Sequence, residues 1–228
     1  MTPTPNTPLD DLRRAVGDHA NRWGHAALTH GGGAERSHAV AILAQLRRSS
    51  VEDLARDPQI WGGVVECVPI PWQGKGDEPS RAELAAYVAL SMYAVHQQSQ
   101  GYVVQERGRP LGRALGQLAH ESSHGEAAMT RRFGALATSD GPEELAHHLR
   151  SLISLLRTAR TTDDRALHAR VDYGQLAADI YLLLDPATAH GVRLRWGRDF
   201  ARIGPAGGRD RDTPSDDNET TPLEGASA

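Results

Sequence analysis

Cysteine is almost absent: Cys67 stands alone in 228 residues. No disulfide can close within the chain, which fits a reducing compartment and leads us to expect a cytoplasmic protein. Aromatic residues make up only 5% of the sequence, and with Ala and Leu abundant this shortage favours helix over strand. Lysine is nearly missing too, with Lys75 against 24 arginines. A GC-rich genome produces the same skew, so the arginine excess by itself does not mean phosphate recognition. No apolar run approaches the roughly 20 residues of a membrane span. The opening MTPTPNTPLDD has neither the basic nor the apolar region of a signal peptide. Gly31–Gly33 has no following Lys and is a turn, not a phosphate-binding loop. No nucleophile motif and no paired catalytic carboxylates stand out, and no cofactor is expected.

The net charge of −4 misleads, because it sits in one place. From Pro205 to Ala228 two arginines face six carboxylates (Asp210, Asp212, Asp216, Asp217, Glu219 and Glu224). The body before it carries as many acids as bases and is neutral. The tail is rich in Gly, Pro, Ser, Thr and Asp, a composition expected to be disordered. The chain thus divides into a disordered head over 1–8, one folded domain over 9–203 and an acidic tail over 204–228. Any nucleic-acid binding must come from local patches, with the tail a competitor for them.

Helical periodicity runs through the domain. Leu12, Val16, Ala20 and Trp23 mark a helix over Leu9–Leu28, and Ala39, Ile42, Leu43 and Leu46 mark one over Ala34–Arg48. Short helical turns broken near Pro58 follow over Val51–Val68. PIPWQGKGDEP (Pro69–Pro79) is a loop. Ser80 and Glu83 form a capping box for Arg81–Gln98. Further helices are expected from Pro110 to about Ala119, over Glu126–Ala137, over Glu143–Arg160 led by Pro142, and over Asp172–Leu184 ended by Pro186. Only Tyr102–Gln105 and Val192–Trp196 have any strand-like character. The fold class is all-α, a helical bundle-like domain.

Arginines recur on these helices. VRLRWGRDF (Val192–Phe200) packs Arg193, Arg195 and Arg198 around Trp196. Read as a helix, Trp196, Phe200 and Ile203 form an apolar stripe, while Arg195, Arg198 and Arg202 share another face with Asp199. In LGRALGQLA (Leu111–Ala119), Arg113 points away from the Leu111, Leu115 and Leu118 stripe. Gly112 and Gly116 there imply a close approach by another helix or by a nucleic-acid strand. Arg131 and Arg132 flank Phe133, Arg47 and Arg48 end the second helix, and Arg150 and Arg157 align seven apart. Guanidinium forks bind phosphate bidentately. Without aromatic-interleaved base-reading motifs, contact with the nucleic-acid backbone is expected rather than sequence readout. Any one such pair also reads as a solvated helix face.

His120-Glu121-Ser122-Ser123-His124 matches HExxH, in which two histidines on one helix face hold zinc and the glutamate acts as general base. Glu143 or Glu144 could supply a third ligand. Against this, Ser122, Ser123 and Gly125 favour a turn, and no further glycine and histidine follow at the spacing of the metzincin proteases. A zinc-dependent hydrolase is therefore the alternative function, and no metal site is assigned.

AELAAYVALSMYAVHQQS (Ala82–Ser99), LGRALGQLA, RRFGAL (Arg131–Leu136), HLRSLISLLR (His148–Arg157), DYGQLAADI (Asp172–Ile180) and VRLRWGRDF occur in that order. Together with AILAQLRRS (Ala41–Ser49), this set resembles the CasB family, the small subunit of the type I-E CRISPR surveillance complex, Cascade. The resemblance covers roughly residues 10–203. It implies an all-helical, non-catalytic subunit of an antiviral RNA-guided complex, present in two copies beside the crRNA-bearing backbone. Its implied partners are the other Cascade subunits, crRNA, the target and displaced DNA strands of the R-loop, and a second copy of itself. Arg47, Arg48, Arg113, Arg131, Arg132, Arg193, Arg195 and Arg198 are, on this resemblance, the phosphate-contacting residues. HESSH falls in what looks like a variable linker of the family, and the acidic tail lies outside the motif set.

Overall fold

The computed structural model describes residues 7–121, 126–160 and 168–202. Within them the chain forms nine α-helices and no extended strand, as the all-α reading expects. They are α1 (Pro8–Leu28), α2 (Ala34–Arg48), α3 (Pro58–Val65), α4 (Arg81–Gln97), α5 (Leu111–Glu121), α6 (Glu126–Ala137), α7 (Pro142–Thr158), α8 (Tyr173–Leu183) and α9 (Pro186–Ala201). Short 3₁₀ turns occupy Val51–Ala55 and Ile70–Trp72.

Helix starts follow local chemistry. The Thr7 hydroxyl accepts from the Asp10 N–H and donates to its carboxylate, so α1 begins at Pro8 rather than Leu9. Asp57, Asp172 and Asp185 accept from first-turn N–H groups of α3, α8 and α9. Proline opens α1, α3, α7 and α9. Pro186 therefore starts α9 as well as ending the helix before it. Val192–Trp196 is helical, not extended, because Val192 and Trp196 fall on one buried face of α9. Tyr102–Gln105 yields only one parallel rung, Gln105 against Val171. Asp172 reinforces that clasp by accepting from the Gly108 and Gln175 N–H groups, both at 2.9 Å.

Helix α4 is the hub. Its residues are buried from Ala85 to Gln97, and α1, α2, α3, α7 and α8 pack around it. A helix apolar on all sides is stable only in such a position. Most of its polar groups are satisfied internally, although Ser91 Oγ and His96 Nε2 are buried without a hydrogen-bond partner among the described residues. The Glu83 carboxylate accepts from the N–H groups of Ser80 at 2.6 Å and Gly74 at 3.0 Å. Gln97 donates to the Tyr102 carbonyl at 2.7 Å and accepts from the Val104 N–H at 3.0 Å. His96 Nδ1 lies 2.8 Å from the Tyr173 hydroxyl.

Two helix pairs approach closely through glycine. Gly174 of α8 lies against the Arg13 carbonyl of α1, and Gly112 and Gly116 of α5 lie against the Trp196 and Phe200 carbonyls of α9. A methyl at any of these would drive into backbone. The α5 glycines therefore serve helix packing, and the nucleic-acid alternative for them is overturned. The same packing turns Arg113 outward.

His96 makes the fold acid-sensitive. Unfolded, it titrates near its ordinary value of about 6.5. Burial first, and repulsion from Arg157 second, push it down to about 3 in the folded protein. Between those values the unfolded chain binds the extra proton, so stability falls as pH drops through this window, by up to about 1.4 kcal/mol per pH unit. Urea midpoints measured from about pH 6.5 to pH 4 should show a shallower acid decline for His96→Gln than for the native chain. Equal slopes would contradict a histidine held neutral.

Candidate nucleic-acid interface

Arg47 and Arg48 end α2, where the helix dipole favours positive charge. They line a cleft of about 320 Å³ with the Val51–Ala55 turn, α4 and α7. Arg150 of α7 builds this corner: its guanidinium donates to the carbonyls of Arg47 at 2.9 Å and Ser49 at 3.4 Å. The Tyr87 hydroxyl closes the floor by donating to Ser49 Oγ at 2.9 Å. Arg47 is half-buried, and burial, then Arg48 and Arg157, weaken its hold on its proton. No carboxylate pairs with Arg47 or Arg48 among the described residues. Glu52 and Glu143 also line the cleft, but neither forms an ion pair with Arg47 or Arg48.

A second group surrounds the end of α9. Phe200 stacks on Phe133 of α6 with ring centroids 4.6 Å apart, and the glycine face of α5 packs on the same stretch. Arg113, Arg131, Arg132 and Arg198 are exposed on these three helices. None has a hydrogen bond or ion pair among the described residues.

Arg193 and Arg195 each have a partner within the framework. Arg193 donates to the Ser139 carbonyl at 3.1 Å, tying α9 to the turn before α7. Arg195 bonds the Asp179 carboxylate at 2.6 Å; the acid side chain is 2% exposed and the arginine 45%. Asp179 also accepts from Trp196 Nε1 at 2.5 Å and Gln175 Nε2 at 2.7 Å. Burial raises its carboxyl pKa, and the Trp196 and Arg195 donors oppose that rise. This node anchors the tryptophan of VRLRWGRDF in the core.

Sequence reasoning missed a larger cleft of about 480 Å³ between α1, α8, α9 and the loop at Arg107–Pro110. It holds Arg13, Arg14, Arg107 and Arg195, but its charge is already balanced. Arg107 pairs with Asp18 at 2.7 Å, Arg14 with Asp11 at 3.1 Å and Arg13 with Asp10 at 3.6 Å. The Asp10-Asp11, Arg13-Arg14 spacing was the available signal for the pairing within α1.

His120 is exposed and Glu121 accepts from Gln117 Nε2 at 3.2 Å, at the end of α5. His124 lies outside the described residues. Glu144 accepts from the Asp140 N–H at 2.7 Å, and Glu143 lines the Arg47 cleft. Among the described residues no three His, Cys, Asp or Glu side chains gather as a metal would require. No described helix is long and apolar enough to cross a membrane.

The sequence model of the family described as CRISPR-associated protein Cse2 matches residues 42–200. The chain belongs to the Cse2 family. A Cse2 protein of Thermus thermophilus is 24% identical over 134 residues, which span 59% of this chain and 66% of that relative. The crystal structure of CasB from Thermobifida fusca, the same type I-E CRISPR-associated family, superposes with a TM-score of 0.59 at 27% identity. That similarity covers 83% of this chain and 97% of the other. The helices α4 to α8, α9 as far as Phe200, and Arg47 and Arg48 of α2 fall inside the Cse2 match.

The two kinds of arginine separate by stability. Arg195→Ala should destabilise the fold by about 1–2 kcal/mol, because Asp179 loses a charged donor, and Arg193→Ala by about 1 kcal/mol. Arg48→Ala, Arg113→Ala and Arg131→Ala should stay within about 0.5 kcal/mol of the native chain. Chemical denaturation of the five variants checks the division; equal losses across all five would contradict it.

Proposed function

We propose that this Cse2 chain acts as the non-catalytic small subunit of a type I-E Cascade complex in antiviral defence. It grips nucleic-acid backbone, helps stabilise the R-loop formed by crRNA and target DNA, and guides the displaced strand. Its partners are the other Cascade subunits, crRNA, both DNA strands and a second copy of itself. The single observation that carries this reading is the Arg47–Arg48 corner, where two guanidiniums stand without an ion pair among the described residues, although Glu52 and Glu143 line the same cleft. A protein reading base sequence would need directed polar contacts, whereas a subunit that follows a guided duplex needs only to hold phosphates. Arg113, Arg131, Arg132 and Arg198 extend the surface. Arg193 and Arg195 hold α9 in place for Arg198.

Binding of a fluorescent single-stranded DNA oligonucleotide to the full chain, titrated over a salt series, tests this. Arg47→Ala/Arg48→Ala should weaken binding and flatten the log–log salt dependence by about 0.7 for each phosphate that is no longer neutralised. A double variant with native affinity and native salt slope would sink the proposed interface.

A further inference from the structure

Beyond Arg202 the chain continues for 26 residues that hold six carboxylates against two arginines. They leave from the end of α9, two residues after Phe200. Arg198 stands exposed on α9, and α5 and α6, which pack against that helix, carry the exposed Arg113, Arg131 and Arg132. Asp199, the nearest carboxylate of α9, is taken up by Arg202 at 3.4 Å. The most acidic segment of the protein thus continues from a helix packed against α5 and α6, on which exposed arginines have no ion pair among the described residues. Fully extended, 26 residues reach up to about 85 Å, so no part of that surface is out of range. Tethering also makes the encounter intramolecular, at an effective concentration on the order of millimolar.

We propose that the acidic segment after Arg202 docks on the exposed arginines of α5, α6 and α9 of its own chain and competes there with nucleic acid. Its carboxylates occupy the guanidiniums until a polyanion of higher charge density displaces them. The docking rests on charge placement alone, while the competition rests on the function proposed above. The device lets a neutral body carry strong local patches without binding every passing polyanion, and it makes release of the segment a step in loading.

The test keeps the full chain and neutralises the segment: Asp210→Asn, Asp212→Asn, Asp216→Asn, Asp217→Asn, Glu219→Gln and Glu224→Gln together. Arginine modification by phenylglyoxal is followed by peptide mass spectrometry in the absence of nucleic acid. Arg113, Arg131, Arg132 and Arg198 should label several-fold faster in the neutralised chain, and the difference should vanish near 1 M salt, where screening acts within about 3 Å. Protection should not change on dilution; protection that is lost on dilution would mean docking on a second copy and would overturn the intramolecular proposal. Equal labelling of the two chains would overturn docking altogether. In parallel, the neutralised chain should bind the single-stranded oligonucleotide several-fold more tightly at low salt. Unequal labelling with equal oligonucleotide affinity would overturn the competition. Unequal labelling with no oligonucleotide binding by either chain would instead count against the proposed function and leave the docking intact.

Discussion

The structure depends on a single constraint: α4 is buried along nearly its whole length. A helix without a solvent face cannot carry unpaired charge, so nearly all of its polar groups find partners inside the domain, Ser91 Oγ and His96 Nε2 excepted. Glu83 finds N–H groups, Gln97 finds the loop after α4, and His96 finds Tyr173. Each partner fixes a neighbour. Gln97 draws in Tyr102 and Val104, the clasp to Val171 follows, and Asp172 then starts α8. The outer helices are positioned by what α4 requires of them.

That arrangement sorts the arginines. Those that close gaps between outer helices are spent on the framework: Arg150 on the end of α2, Arg193 on the turn before α7, Arg195 on Asp179. Those turned away from every neighbour have no ion pair among the described residues. The distinction is geometric rather than compositional, because both kinds occur within one nine-residue segment of α9. The acids of α1 pair with the arginines of one cleft, whereas Arg47 and Arg48 have no ion pair among the described residues even though Glu52 and Glu143 line theirs.

Much of this was legible in the sequence, for physical reasons. Capping residues and apolar stripes are local, so Ser80 with Glu83, the proline-led helix at Pro142, and the stripe of Met129, Phe133 and Leu136 could be read directly. The glycine pair in α5 was legible as a close approach, but not which partner made it, because the Trp196 and Phe200 carbonyls lie 84 residues away in the chain for each glycine. The strand-like character of Val192–Trp196 misled for the same reason: tertiary burial of one helical face outweighed propensity. Neither the role of Arg150 nor that of Asp179 could be seen, since the Arg47 and Ser49 carbonyls that Arg150 holds, and the Arg195 and Trp196 donors of Asp179, lie outside their own helices. The α9 arginines looked equivalent until Asp179 distinguished them.

Purification of the tagged full-length chain from its native host, with mass spectrometry and nucleic-acid extraction of the eluate, tests the account most directly. If the unpaired arginines serve an RNA-guided assembly, the chain elutes with the other Cascade subunits and a discrete short RNA, and raised salt strips nucleic acid from any free subunit. A chain that elutes alone, with neither subunits nor RNA, would contradict it.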